Sequence, residues 1–173
     1  TKERATQLNK GLDLLIEAFS KNPLNRSGVI LAIVGEAYEP QQKYTELIQK
    51  LNLNERIIFD FNYAKTQKSC KVFCAADVIA QTYISATQSG VTPLAYHFKT
   101  PLLVSDLAGL RTPILEDQTG MITEINAEKI AENLIQILSD EKLSEFQPSF
   151  QKVGDKYSWK SFGLSLMNFM GQL

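Results

Sequence analysis

Val29-Ile30-Leu31-Ala32-Ile33-Val34 is a continuous apolar run closed by Gly35. Such a run, with no polar alternation, is the pattern of a strand buried on both faces of a sheet. Four shorter runs of the same kind follow: Ile57-Ile58-Phe59, Val78-Ile79-Ala80, Leu102-Leu103-Val104 after Pro101, and Met121-Ile122-Thr123 after Gly120. Between them lie helical stripes. Leu12, Leu15, Ile16 and Phe19 fall on one face, as do Tyr44, Leu47, Ile48 and Leu51. Cys70, Phe73 and Cys74 form a shorter stripe. Ile130, Leu134, Ile137 and Leu138 mark a helix opened by Asn126 with Glu128 in its first turn, and a last helix passes through Trp159, Phe162, Leu166 and Phe169. Strands alternating with helices predict an α/β fold, a doubly wound, Rossmann-like parallel sheet.

The bulk properties agree with one globular domain over residues 1–173. The chain carries 18 Lys+Arg against 19 Asp+Glu, one His and 44% apolar residues. The apolar fraction is too high for disorder, and no basic block suggests a nucleic-acid partner. No run reaches the roughly 18 apolar residues of a membrane span. Thr1 to Gln7 lack the apolar core of a signal peptide, and two cysteines form no disulfide framework, so a cytoplasmic location is expected. One feature is odd. Nothing before Lys10 reads as a strand, although a doubly wound sheet expects one to feed the Lys10-Gly11 turn. The expectation is a piece of a larger protein, cut after its first strand.

Chemistry is expected where strands meet helices. No G-x-G-x-x-G and no G-x-x-x-x-G-K-(S/T) is present. The informative stretch is Tyr83-Ile84-Ser85-Ala86-Thr87-Gln88-Ser89-Gly90-Val91-Thr92-Pro93, which leads into a helix at Leu94-Ala95-Tyr96-His97-Phe98. Small and hydroxyl residues at such a junction leave N–H groups and the positive end of the helix dipole open to an anion. Gly90 would let a phosphate approach the main chain. The bland alternative is a capped helix start, for which Ser89 alone suffices. Lys10, at the first turn, could neutralise a phosphate or simply be solvated. Arg4 could join it or belong to a frayed end.

Other candidates are weaker. His97, the only histidine, sits within a helix between two aromatic residues, where packing is the simpler role. Cys70, Cys74 and one distant His cannot complete a zinc site, so both cysteines read as reduced core residues and no metal is expected. No Ser-His-Asp arrangement is evident, and no catalytic residue is assigned.

These residues together resemble the C-terminal, donor-binding half of a GT-B glycosyltransferase of the group 1 family. Lys10-Gly11-Leu12-Asp13-Leu14-Leu15-Ile16-Glu17-Ala18-Phe19 is similar to its KG-x-x-x-L-x-x-A segment, and Leu31 to Glu36 to its strand ending in Gly. Leu51-Asn52-Leu53-Asn54-Glu55-Arg56-Ile57-Ile58-Phe59 resembles L-x-L-x-x-R-(I/V)-x-F. Ala75-Ala76-Asp77-Val78 looks like the family's A-D strand start, and Ser85 to Tyr96 resembles a branch carrying S-A-x-Q-S-G. Thr100 to Val104 and Asp117-Gln118-Thr119-Gly120 match a Pro-led strand and a turn ending in T-G. The order of these pieces, more than any one of them, carries the resemblance from Lys10 to about Trp159.

The resemblance implies a retaining hexosyltransferase using a UDP- or GDP-sugar as substrate, with no separate cofactor. The acceptor, a glycan or lipid-linked molecule, would bind through an N-terminal domain not contained in this chain, as would any peripheral membrane contact. The family's diphosphate site maps onto Ser89, Gly90, Val91 and Thr92, with Lys10 and, by spacing only, Arg4. Nucleoside and sugar contacts map onto Gly35, Glu36, Asn62, Tyr63, Tyr83, Ser85 and Gln88. Two glutamates that flank this helix start in the family are replaced in the regions of Ala86 or Gln88 and of Leu94 or Ala95. The Gly-Gly-x-x-Glu turn becomes Ala108-Gly109-Leu110-Arg111-Thr112. An alternative is therefore a nucleotide- or phosphate-binding module of the same fold without transferase activity. Isolated, the domain is expected to be inactive.

Overall fold

The computed structural model of the chain describes residues 10–35, 40–60, 66–157 and 159–171. Within them the chain runs α1 (Leu12–Ala18), a 3-10 turn (Leu24–Arg26), β1 (Leu31–Val34), α2 (Gln41–Lys50), β2 (Ile57–Asp60), α3 (Thr66–Ala75), β3 (Ile79–Gln81) and α4 (Val91–Phe98). It continues through β4 (Leu102–Ser105), α5 (Ala108–Asp117), β5 (Gly120–Thr123), α6 (Ala127–Ile137), α7 (Asp140–Lys156) and α8 (Trp159–Met170). Every strand pair is parallel. β1 pairs with β2 in the register Leu31↔Ile57 to Val34↔Asp60. β4 lies between β3 and β5, with Leu102 opposite both Ile79 and Gly120. The expected Rossmann-like α/β class is what the chain adopts.

Among the described residues the strands form separate ladders, order β1-β2 and order β3-β4-β5. The first apolar run departs from its sequence reading. Only Leu31–Val34 forms ladder bonds, Ala32 is exposed and Ile30 is 59% exposed, so the run is not buried on both faces. Full burial falls instead to β4, all four residues of which are buried. No strand precedes α1 among the described residues.

The helices close the core. α1 buries Leu15, Ile16 and Ala18, with Phe19 just beyond its end, and packs on α2 and α6. Each large apolar side chain so removed from water contributes about 1.5–3 kcal/mol. α6 is capped as its sequence foretells, the Asn126 side chain accepting from Lys129 N at 3.0 Å. Arg56 has a structural task. Its guanidinium donates to the carbonyls of Leu24 (3.0 Å) and Val29 (2.9 Å), fastening the turn before β1 to the start of β2.

Two regions of the core were not foreseen. α7 supplies Phe146, Phe150 and Val153, with the Phe150 ring 6.3 Å from Tyr96. α5 supplies Leu110 and Ile114. The cysteine assignment is corrected: Cys74 is exposed and Cys70 half-buried, both free thiols. Phe73, stacked on Phe98 at 5.3 Å, carries the contact between α3 and α4 and leaves Cys74 on the open flank. α8 leaves Phe162, Leu166, Met167, Phe169 and Met170 exposed. No helix among the described residues is long and apolar enough to cross a membrane.

Candidate functional site

Lys10, Tyr83 and Ser89, which lie far apart in sequence, meet at the carboxyl end of β3. The turn before α1 is held there by Gly11, whose φ of 59° puts the chain in the left-handed region. A Cβ on Gly11 would lie 2.0 Å from the carbonyl oxygen of Thr82, so only glycine permits this approach. That contact brings the Lys10 ammonium to 4.0 Å from the centre of the Tyr83 ring. An ammonium at this distance is attracted by the negative face of the ring. Tyr83 is buried, and its hydroxyl lies 3.3 Å from Ser89 Oγ.

Ser89 then connects to the start of α4. Its Oγ accepts from Val91 N at 3.2 Å, and its carbonyl accepts from Thr92 N at 3.3 Å. Gly90, not Ser89, is the N-cap residue, and Ser89 bonds the first helical N–H from one position earlier. Its hydroxyl also faces Tyr83, so the helix start and the cation belong to one cluster. Gly90 has φ −68° and ψ −11°, and a Cβ there would meet nothing within 4 Å. Gly90 is exposed, and none of the described residues crowds the space its Cβ would take. Ser85 and Gln88 are exposed on the loop between β3 and α4.

Thr92 stands differently. It is 7% exposed, and its hydroxyl faces the buried side chain of Gln81, 3.2 Å from Gln81 Nε2. Its side chain joins α4 to β3, leaving the main chain of the turn and Ser89 as the groups that face outward. Gly35 ends β1, where its N–H donates to Asp60 O at 3.1 Å. It stands at the end of the other ladder. Arg4, Glu36, Asn62 and Tyr63 lie outside the described residues. His97 is exposed, its ring 4.9 Å from that of Phe98.

The start of α5 was not foreseen as belonging to this region. A Cβ on Gly109 would fall 1.7 Å from Thr87 O, so α5 begins directly against the β3–α4 loop. Arg111, one helical turn inside α5, is paired with Asp106 at 2.8 Å. The sequence signal was present in the altered glycine turn, but nothing in it showed which loop the turn touches. At the end of β4, just before α5, Ser105 Oγ is buried without a hydrogen-bond partner among the described residues.

Two concave surfaces elsewhere have less chemical coherence. A groove of about 460 Å³ between α1 and α2 is lined by Asp13, Glu17, Glu46, Lys43 and Lys50, with Lys43 3.9 Å from Asp13. Mixed charge that pairs across a groove is a solvated surface and selects no single ligand. Near the end of α7, Lys156 and Tyr157 bind Asp117 at 2.6 and 2.9 Å. There the carboxylate is already satisfied. Among the described residues no group of three His, Cys, Asp or Glu is arranged to hold a metal ion.

The chain is a parallel α/β domain, a class in which ligands sit at the carboxyl ends of the strands, and it brings a lysine and a glycine-led helix start to that edge. Within that class the family is identified by sequence. The model of glycosyl transferases group 1 matches residues 4–151, and the chain belongs to that family. No curated protein matches the sequence. Solved structures share the fold at low identity. Sucrose-phosphate synthase from Thermosynechococcus elongatus aligns with a TM-score of 0.79 at 20% identity, covering 96% of this chain and 43% of that one. HepE from Anabaena, solved in complex with UDP-glucose, aligns at 0.77 and 17% identity, covering 95% and 46%. The C-terminal domain of the group 1 protein LpcC from Francisella tularensis aligns at 0.71 and 22%, covering 88% and 82%. The chain therefore spans less than half of the first two proteins and most of the third. The fold is that of GT-B glycosyltransferases.

Proposed function

We propose that this chain is the donor-binding half of a retaining hexosyltransferase. It would hold a nucleoside-diphosphate sugar whose hexose passes to a glycan or lipid-linked acceptor bound by a separate N-terminal domain. The observation that carries this reading is the meeting of Lys10, Tyr83 and Ser89 beside the open Gly90 turn. The complexes of HepE with UDP and with UDP-glucose favour UDP over GDP as the nucleotide to try first. The chemistry asked of this half is electrostatic. Lys10 and the N–H groups of the turn would stabilise the charge that gathers on the departing diphosphate, fixed in place before the bond breaks.

The replaced glutamates favour a second reading, a nucleotide-binding module without transfer activity. Leu94, in the region of one of them, is exposed and offers no hydrogen bond from its side chain. Titration of the chain with UDP, UMP and GDP, followed by calorimetry or NMR, tests what the two readings share. UDP should bind with an affinity of roughly 0.1–1 mM, about −4 to −5.5 kcal/mol, as expected for two or three charge-assisted bonds without domain closure. UMP should bind more weakly, because it lacks the second phosphate. Equal binding of UMP and UDP, or none of either, would refute the diphosphate site. Sugar transfer after rejoining the chain to an N-terminal half would separate the enzyme from the module.

A further inference from the structure

Tyr83 is the least expected member of the site. The family resemblance placed it among nucleoside and sugar contacts, yet it is 8% exposed, and one face of its ring is covered by the Lys10 ammonium at 4.0 Å. Its hydroxyl is engaged with Ser89 Oγ at 3.3 Å. A side chain so occupied has little surface left for a ligand. What it touches instead are the two elements that would grip a diphosphate from either side.

We propose that Tyr83 is a positioning residue that joins Lys10 to the Ser89–Gly90 turn, so that the two diphosphate anchors act as one unit. The proposal rests on the donor-binding reading above. Physically, the ring gives the long lysine stem a platform and narrows the positions its ammonium samples, so less freedom is lost when a phosphate arrives. At the other end, Ser89 Oγ already accepts from Val91 N at 3.2 Å. If the tyrosine hydroxyl donates to the same oxygen, the Ser89 proton is released to donate outward, toward the open space before Gly90. Tyrosine meets both demands, since it offers a flat apolar face and a polar tip.

The test is a double-mutant cycle on UDP affinity in the whole chain, using Tyr83→Leu, Lys10→Ala and the pair. With Lys10 present, Tyr83→Leu should weaken UDP binding about fivefold, the scale of a lost cation–π platform and one hydrogen bond. With Lys10 already alanine, the same change should cost less than about twofold. Tyr83→Phe should keep the coupling to Lys10 and lose only about twofold, since the ring remains and one hydroxyl contact goes. Equal losses in both backgrounds would mean a purely structural tyrosine and overturn the proposal while leaving the donor site intact. Failure of the unmodified chain to bind UDP would overturn both. Should Tyr83→Leu not fold, the ε-methylene protons of Lys10 answer instead. They should resonate upfield in the unmodified chain and in Tyr83→Phe, because they are bonded to the carbon next to an ammonium held 4.0 Å from the ring centre. Ordinary positions in the unmodified chain would overturn the stack.

Discussion

Gly11 and Thr82 touch so closely that a Cβ on Gly11 would lie 2.0 Å from the Thr82 carbonyl oxygen, at a φ of 59°. This contact seats the turn before α1 on the end of β3 and thereby sets Lys10 over Tyr83. Gly11→Ala should destabilise the chain by roughly 2–4 kcal/mol, combining left-handed strain with the need to push the touching backbones apart. It should also weaken UDP binding in whatever fraction remains folded. Urea unfolding gives the first quantity. An alanine variant as stable as the parent would show that the two segments are not in contact.

Gly90 and Gly109 should respond oppositely to alanine. At Gly90 the backbone is helical and the Cβ position empty, so stability should change by less than about 0.5 kcal/mol. A ligand that uses the open space should nonetheless bind several-fold more weakly. At Gly109 the new methyl would meet Thr87 O at 1.7 Å and should cost about 2–4 kcal/mol. Thermal melts and UDP titrations on the two variants check both. If Gly90→Ala leaves UDP affinity unchanged, the diphosphate does not approach that turn.

The contrast among these glycines shows how far the sequence could be read. The parallel α/β class was legible because Leu102-Leu103-Val104 and its kin are apolar without alternation, and because stripes such as Ile130-Leu134-Ile137 keep helical spacing. α5 was not legible, because Gly109 and Pro113 interrupt it and its sequence has no clear apolar face. α7 differs: Phe146, Phe150 and Val153 keep the i, i+4, i+7 spacing of a helical face, but Pro148 lies between them and reads as a break. Of the candidate site, Lys10 and Ser89 could be singled out from residue type and position. Their junction through Tyr83 could not, since it depends on which strand end the first turn rests upon. Composition also failed at the first apolar run, where Ile30 and Ala32 are exposed despite their apolar neighbours.

Tyr96 should govern stability at high pH. Its hydroxyl donates to Pro113 O at 3.2 Å and accepts from Thr119 Oγ1 at 3.0 Å, joining α4 to α5 and to the start of β5. Burial disfavours the phenolate and pushes its pKa well above the usual value of 10.0, only partly opposed by the Thr119 bond. A raised pKa means the folded state keeps its proton where the unfolded chain releases it. The stabilisation is complete below about pH 10 and is lost as pH rises toward the folded value. Tyr96→Phe should cost about 1–2 kcal/mol at neutral pH, through the lost hydrogen bonds. That cost should shrink above pH 10, where the parent weakens and phenylalanine cannot ionise. A cost that stays constant with pH would contradict it.

Lys21 and Glu128 are expected to show the opposite limb. They pair at 2.7 Å, linking the segment after α1 to the first turn of α6. The hydrogen bond that Lys21 donates to Glu128 is the main cause both of the carboxyl lying below 4.5 and of the lysine lying above 10.5. For the lowered carboxyl, stabilisation is present above 4.5 and lost as pH falls through the folded value. For the raised lysine it is present below 10.5 and lost as pH rises. Glu128→Gln should therefore flatten the acid limb of the stability curve slightly, and the difference from the parent should fade with added salt, since exposed pairs are weak and screened. An acid limb unchanged in Glu128→Gln would assign that loss to other carboxylates.

α8 offers a test in which substitution should do little to stability. Phe162, Leu166, Met167, Phe169 and Met170 are exposed, Met167 by 70%. Five large apolar side chains on a helix from Trp159 to Met170 exceed what a buried stripe requires. Exposed positions outside the core tolerate charge, so Met167→Lys should shift the unfolding free energy by less than about 0.5 kcal/mol. Phe150→Ala, one helix earlier and 1% exposed, should cost about 3–5 kcal/mol. The comparison separates a surface helix from a core one within the same chain. Met167→Lys should also reduce self-association at high concentration, because it places a charge in the middle of the apolar patch. Light scattering reads this directly. A loss from Met167→Lys comparable to that from Phe150→Ala would mean that α8 packs against the domain instead of facing solvent.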